Sequence, residues 1–326
     1  MSANEFTEIA DLFAPLTKGA PEALGLLDDA AVIAARPGFD LVITKDAIVE
    51  GVHALKGTSP SDLARKLLRV NLSDLAAKGA SPDAVFLAVA WPADWSRFDR
   101  ADFASGLGED LKRYEVRLLG GDTVCTPGPF SASLTALGYC PAGAMVKRSG
   151  AQAGDRVLVT GTIGDGYLGL MAARGDAGFS PQDRSVLAQA YRLPRPRLAL
   201  TPALRAFATA AADVSDGLLA DLGNVARASG VRIAIDLDLT PLSPQASHWL
   251  RSAPSRRDAL AALAAGGDDY EIVVTATLEN ATRLMQAGAA LGLQVSDIGQ
   301  VRHGEGLEVR FDGVALDVVR TGWSHI

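Results

Sequence analysis

The sequence predicts an α/β protein of two domains, and three observations carry that expectation. Its 326 residues suffice for one large domain or two ordinary ones, and 48% hydrophobic residues with 33 glycines fit compact α/β packing. Apolar residues switch repeatedly between strand and helix periods along the chain. Pro141, Gly143, Gly150 and Gly154 punctuate the middle, which puts a boundary near residue 147 and predicts domains 1–147 and 148–326.

Taken in order, Glu5 to Leu16 carries Phe6, Ile9, Leu12 and Phe13 at helical spacing. Leu27 to Ile33 reads as paired acids, Asp28 and Asp29, leading into a small apolar strand; adjacent acids also mark solvated turns. Leu41 to Asp46 reads as a buried strand with polar residues at its end, where α/β folds place ligand chemistry. It makes Asp46 and, a little further on, His53 site candidates, although a single His is as readily a surface or core residue. Pro60 to Lys78 predicts a helix, capped by Ser59 or Ser61 and stopped by Gly79.

Asp74 is the odd residue of that helix. At about 100° per residue it falls between Leu63, Leu67 and Val70 and well away from Arg65 and Arg69, so it is expected to face inward without a partner on its own helix. A buried carboxylate without a counter-charge is costly and calls for a cation from elsewhere.

Ala84 to Trp91 predicts a strand, Trp95 or Arg100 to Tyr114 a helix, and Val116 to Leu119 a strand whose end carries Gly120-Gly121-Asp122-Thr123. That end is either a tight turn or a place where backbone N–H groups approach an anion. Phe130 to Tyr139 is a further strand, and Lys147-Arg148-Ser149-Gly150 is either a solvated linker or a phosphate contact.

In the second half, Arg156 to Thr160 predicts a strand followed by Gly161-Thr162-Ile163-Gly164-Asp165-Gly166, which matches neither dinucleotide nor P-loop fingerprint. Helices are expected at Asp183 to Tyr191 and Arg197 to Thr209. Asp213 ends a small strand, and Ser215 or Asp216 is expected to cap the next helix. Val231 to Ile235, Ile272 to Thr275 and Gln294 to Val301 read as strands, and Ala259 to Ala265 and Leu278 to Leu291 as helices. Gly266-Gly267-Asp268-Asp269-Tyr270-Glu271 again sets acids after glycines, and a turn-rich segment closes the chain.

A net charge of −7 argues against a nucleic-acid or anionic-membrane partner. Cys125 and Cys140 lack C-x-x-C spacing, Asn4 to Glu8 lacks a secretory pattern, and no apolar run nears the roughly eighteen residues of a membrane helix. These features predict a soluble cytoplasmic protein. Acids at several element ends, without matching Lys or Arg runs, point to a shared divalent-metal site; hard oxygens without paired His or Cys select Mg²⁺, Mn²⁺ or Ca²⁺. With glycine-flanked backbone and Arg148, the expected chemistry is Mg²⁺-dependent and acts on a nucleotide.

Taken together, Asp28-Asp29-Ala30-Ala31, Val49-Glu50-Gly51-Val52-His53, Asn71-Leu72-Ser73-Asp74-Leu75-Ala76-Ala77, Gly120-Gly121-Asp122-Thr123, Arg148-Ser149-Gly150-Ala151, Asp213-Val214-Ser215-Asp216-Gly217-Leu218, Gly266 to Glu271 and Gly322-Trp323-Ser324-His325 make the chain resemble the thiamine-monophosphate kinases over nearly its whole length. That family belongs to the superfamily of aminoimidazole ribonucleotide synthetase and selenophosphate synthetase. The resemblance implies two α/β domains with mixed sheets, the first serving metal and nucleotide binding and dimerisation, the second completing the active site. A barrel would form from the N-terminal sheets across a homodimer. It implies transfer of the ATP γ-phosphoryl group to thiamine monophosphate with several Mg²⁺ ions. Asp29, Thr44, Asp46, Asp74, Asp122, Asp213 and Asp216 would be metal ligands, with Lys45 adding a main-chain oxygen. Gly121, Asp122, Arg148 and Ser215 would contact ATP, and His53, Asp268 and Trp323 the thiamine phosphate.

Three positions depart from the family pattern: Leu27 replaces a usual Gly, Lys45 a usual Thr and Asp268 a usual Glu. Lys45 would oppose metal binding unless its ammonium points away or touches an ATP phosphate. The cysteines do not suit selenophosphate synthetase or the related hydrogenase-maturation protein, and His53 and Trp323 disfavour aminoimidazole ribonucleotide synthetase. A non-catalytic, metal-dependent nucleotide-binding protein is the other class that these residues allow.

Overall fold

The structure is a computed structural model and describes residues 5–176, 178–318 and 321–323. Ser324 and His325 of the last motif lie outside the described residues. Two compact units divide the chain: Met1–Leu75 with Ala80–Gly143, and Ala76–Gly79 with Ala144–Ile326. Among the described residues no helix is long and apolar enough to cross a membrane.

The first unit opens with a helical stretch in which α1 (Glu5–Glu8) runs into tighter and wider turns as far as Thr17. Leu27 to Ile33 forms no strand, contrary to expectation: Asp28 and Asp29 sit in an exposed bend, and Ala31 and Ile33 pack as single residues against Ala23, Ala84 and Leu119. β1 (Phe39–Val49), α2 (Pro60–Ala77), β2 (Ser81–Pro92), α3 (Arg97–Arg113), β3 (Arg117–Thr126) and β4 (Ser131–Pro141) follow. Ser59 caps α2 by accepting the Asp62 N–H at 3.1 Å, and Leu63, Leu67, Leu68, Leu72 and Leu75 along it are fully buried. α3 begins with a capping box between Ser96 and Asp99.

The sheet order is β1-β4-β2-β3, with β4 antiparallel to both neighbours and β2 parallel to β3. β1 is not the buried strand expected. Val42 and Ile48 are covered, whereas Phe39, Leu41 and Ile43 remain 51%, 43% and 59% exposed, because the sheet is covered on one face and strand residues alternate. The Gly120-Gly121-Asp122-Thr123 segment is no turn either; it lies inside β3. A Cβ on Gly121 would stand 1.8 Å from the Leu87 carbonyl oxygen, so glycine there is what lets β3 close on β2.

The second unit contains β5 (Arg156–Thr160), α4 (Asp165–Arg174), α5 (Pro181–Arg192), α6 (Thr201–Phe207), β6 (Ala210–Asp213), α7 (Leu218–Ser229) and β7 (Arg232–Asp236), then α8 (Pro244–Ser252), α9 (Arg256–Ala265), β8 (Ile272–Ala276), α10 (Leu278–Ala290), β9 (Val295–Arg302), β10 (Gly306–Phe311) and β11 (Val314–Ala315). α8 has no counterpart in the sequence expectations, and β10 and β11 occupy the segment expected to be turns. Sheet order is β11-β10-β7-β9-β5-β8-β6, with β10 and β7 parallel. Both faces are buried. Val157, Val159, Ala212 and Val273 pack with Leu218, Leu222 and Leu260 on one side, and Leu158, Ala211, Ile272 and Val274 with Leu200, Leu204 and Leu284 on the other. Double coverage explains why β5 and β8 read as continuous apolar runs.

Candidate active site

In the first unit, the covered face of β1 meets the C-terminal half of α2. Thr44 Oγ1 donates to Asp74 Oδ2 at 2.5 Å, and the Asp46 N–H donates to Asn71 Oδ1 at 2.9 Å. Asp74 is therefore only partly buried and held by a hydroxyl, not the fully inward carboxylate awaiting a cation that helix geometry suggested. A hydroxyl suffices because solvent still reaches the group. Asn71 is fully buried; its amide also donates to the Leu67 carbonyl at 2.9 Å, so it ties α2 to β1. Its signal in the sequence was an amide on the apolar face of a helix, overlooked beside Asp74.

Alternation along β1 settles the side chain of Lys45. Thr44 and Asp46 point to the helix-covered face, and Lys45 points with Ile43 and Ala47 to the opposite, open face. Its ammonium is thus directed away from Asp46 and Asp74. His53 follows β1 in a turn where its Nδ1 accepts the Val49 N–H at 3.0 Å, so in the neutral ring the proton sits on Nε2. The Lys66 ammonium donates to the His53 carbonyl at 3.1 Å. Asp122 is exposed on β3, at the far edge of the sheet from β1; three strand spacings make that about 14 Å. Asp29 is exposed in its bend.

In the second unit three loops converge. Asp213, 4% exposed, ends β6. Beyond it Val214 N–H donates to Glu271 O at 2.8 Å, Asp268 N–H to Ser215 O at 2.9 Å and Tyr270 N–H to Val214 O at 2.8 Å. The Trp323 N–H donates to Asp216 O at 2.9 Å, which brings the last predicted contact to the same turn. The helix cap differs from expectation: Gly217 occupies the N-cap of α7 without a side-chain bond, and the Asp216 N–H instead donates to Asp221 Oδ2 at 3.1 Å. Asp221, buried inside the first turn, reaches back where Ser215 or Asp216 was expected to reach forward. Burial, then the neighbouring Asp216 charge, pushes its carboxyl up to about 6, opposed by the Arg148 guanidinium. Arg148 itself is exposed.

Asp269 accepts from the Gly164 N–H and the Gly166 N–H, both at 2.8 Å, at the start of α4. The glycine-rich turn before α4 is occupied by the protein's own carboxylate, which the helix N-terminus favours. Burial pushes Asp269 well above the ordinary carboxylate range, with Asp165 and Glu271 adding to the rise. Asp268 and Tyr270 on either side adopt φ of +70° and +51°. Left-handed backbone at non-glycine residues costs on the order of 1–2 kcal/mol each, so the surrounding bonds must hold it. Glu271 accepts from Thr160 Oγ1 at 2.6 Å and Arg197 Nε at 2.7 Å, with Arg197 Nη2 on its other oxygen. Sequence reading did not single out Arg197, since a lone Arg after a proline has no local partner.

Among the described residues, no three His, Cys, Asp or Glu side chains meet in a ready-made metal cage. Mg²⁺ commonly keeps several waters and is held by one or two carboxylates plus phosphate oxygens, so the oxygen-only pair of Asp74 and Thr44, with Asp46 on the same face, fits that ion.

Comparison with known proteins places the chain in a family. Residues 27–140 match the family model described as AIR synthase related protein, N-terminal domain, and residues 152–312 match the corresponding C-terminal domain model. The thiamine-monophosphate kinase of Caulobacter vibrioides is 51% identical over 321 residues, covering 98% of this chain and 90% of that one. The crystal structure of thiamine-monophosphate kinase from Stenotrophomonas maltophilia superposes with a TM-score of 0.83 at 38% identity, covering 97% and 99% of the two chains. A structure of AaThiL complexed with AMPPCP and TMP superposes with a TM-score of 0.78 at 28% identity, covering 90% and 89%. The two-domain α/β fold with mixed sheets is that of these proteins, and the chain belongs to the thiamine-monophosphate kinase family.

Proposed function

We propose that this chain transfers the γ-phosphoryl group of ATP to thiamine monophosphate, giving thiamine diphosphate and ADP, in a Mg²⁺-dependent reaction of the cytoplasm. The observation that carries the reading is the Asp74–Thr44 contact beside Asp46, a set of hard oxygens on the family's acidic motif with the Lys45 ammonium turned away. The AaThiL complex with AMPPCP and TMP supports the pair of substrates.

A phosphate monoester with a second pKa of about 6 is already mostly dianionic at neutral pH and needs no general base to attack. The obstacle is repulsion between two polyanions. When bound, Mg²⁺ ions supply the screening and stabilise charge on the transferring group. Asp29, Thr44, Asp46, Asp74, Asp122, Asp213 and Asp216 would hold them, with the Lys45 carbonyl. The Arg148 fork and the Ser215 hydroxyl orient ATP oxygens alongside the backbone of Gly121 and Asp122. On the acceptor side, the Nε2–H of His53 donates to phosphate, Asp268 fixes the acceptor and the Trp323 indole offers a face to the thiazolium cation.

The N-terminal domain, expected over residues 1–147, would bind metal and nucleotide and form a homodimer. Its open sheet face carries Phe39, Leu41, Ile43 and Val124, all more than 40% exposed, between two unpaired edges. A second copy closing these edges into a barrel removes both liabilities. Light scattering after size exclusion should give twice the chain mass.

The deciding experiment incubates the protein with MgATP and, in parallel, thiamine monophosphate, thiamine and formylglycinamidine ribonucleotide. Thiamine diphosphate from the monophosphate alone, abolished by EDTA, is expected. Intact protein that binds MgATP and forms no thiamine diphosphate would overturn the acceptor assignment.

A further inference from the structure

The loop from Gly266 to Glu271 is held from two sides by different chemistry. On one side its backbone pairs with the turn after β6, through Asp268 N–H to Ser215 O and Tyr270 N–H to Val214 O. On the other, the Asp269 carboxylate forks onto the N–H groups of Gly164 and Gly166. The two residues flanking Asp269 are the left-handed ones, Asp268 and Tyr270. The first turn of α4 also presses directly on Asp268: a Cβ on Gly166 would come within 2.4 Å of the Asp268 carbonyl carbon and oxygen. Such a backbone persists only while both sides hold it.

From this geometry we propose that Asp269 is a positioning residue for the acceptor substrate, acting through Asp268. Its fork fixes the left-handed backbone of Asp268 and so the direction in which that carboxylate leaves the loop. Asp is a short side chain, which leaves Asp268 little freedom to correct a backbone error. The assignment rests on the proposed role of Asp268 toward thiamine monophosphate. Asp269 touches no substrate in this scheme; the anchor it uses is the N-terminus of a ten-residue helix, α4.

The test is steady-state kinetics of wild type, Asp269→Asn, Asp269→Glu, Asp268→Ala and the double variant Asp269→Asn with Asp268→Ala, with MgATP affinity by calorimetry and melting curves on each. Asp269→Asn leaves one N–H facing an amide NH₂, and should raise KM for thiamine monophosphate roughly tenfold while KM for ATP and the MgATP Kd stay within about twofold. The double variant should be no worse than Asp268→Ala alone, since both act on one contact. Should Asp269→Asn not fold, Asp269→Glu keeps the charge but lengthens the arm by one methylene, so the Asp268 backbone shifts and the same acceptor-selective KM rise is expected. Equal shifts for both substrates, or effects that multiply in the double variant, would overturn the positioning role. Wild type lacking thiamine diphosphate synthesis would instead overturn the acceptor reading on which it rests, a distinct result.

Discussion

Asp74 of the first unit and Asp269, Glu271 and Asp165 of the second are held in opposite ways. In the first unit, Asp74 meets one hydroxyl, and its surroundings on α2 and β1 leave it partly exposed. In the second, Asp269 meets two backbone N–H groups, Glu271 an Arg and a Thr, and Asp165 the hydroxyls of Thr162 and Ser243. Acids saturated by their own protein have little left to offer a ligand, so they shape loops. An acid with one hydroxyl partner and access to solvent keeps its coordinating oxygens. The difference separates acids that do chemistry from acids that build its frame, a distinction that acidity in the sequence does not make.

The largest effect tests the first group. Asp74→Asn keeps size and can still accept from Thr44, so melting should stay within a few degrees of wild type, while thiamine diphosphate formation should fall at least about a hundredfold. Near-normal turnover in a folded variant would remove Asp74 from the chemistry and collapse the contrast. The second group should respond in the reverse manner. Arg197→Ala leaves Glu271, 4% exposed, without its cation. The loss should be about 3 kcal/mol of folding stability in urea titrations, because an uncompensated buried charge remains. A variant as stable as wild type would show that the pair is no frame element.

Asn71 lies between these extremes and sharpens the contrast. It is fully buried like a frame residue, yet it bonds Asp46, a proposed ligand. Asn71→Ala should cost about 1–3 kcal/mol by leaving the Asp46 N–H unpaired, and should lower turnover beyond what lost stability explains. Matched urea titrations and kinetics on the folded protein decide it. Loss of stability with unchanged kcat would make Asn71 purely structural.

How far the sequence reveals this follows from which interactions are local. α2 was legible because its leucines repeat at helical spacing and Gly79 ends it, and the second sheet's central strands because double burial writes continuous apolar runs. β10 was missed although its signal was there: Leu307, Val309 and Phe311 alternate with Glu308 and Arg310, a strand period over too few residues to stand out among the turn-forming glycines on either side. The acidic motifs were legible as a set. Their sorting was not, since Asp268 and Asp269 are adjacent and identical in type, and only the N–H groups of Gly164 and Gly166, about a hundred residues away, distinguish them. β1 misled for a related reason: Leu41, Val42 and Ile43 look like a core strand, and a sheet covered on one face leaves two of the three exposed.

The smallest expected effect uses pH to read the frame acids directly. Burial raises the carboxyl of Asp269, and likewise those of Asp165 and Glu271, whereas Glu22 in the first unit is lowered by the Arg117 guanidinium beside it. A raised group stays protonated longer in the folded chain than in the unfolded one. The folded state therefore binds more protons between the unfolded value of about 4 and the raised native value, and stability falls as pH climbs through that window. A lowered group such as Glu22 does the opposite, losing its contribution as pH falls. Asp269 faces the N–H groups of Gly164 and Gly166 and the like charges of Asp165 and Glu271, and both acids remain in Asp269→Asn. Urea midpoints of wild type and Asp269→Asn between about pH 5 and pH 8 thus differ in slope through Asp269 and its coupling to Asp165 and Glu271. Wild type should lose more stability across that range than the variant. Parallel slopes would mean that Asp269 titrates as an ordinary surface acid, and the division between ligand acids and frame acids would then have to be drawn elsewhere.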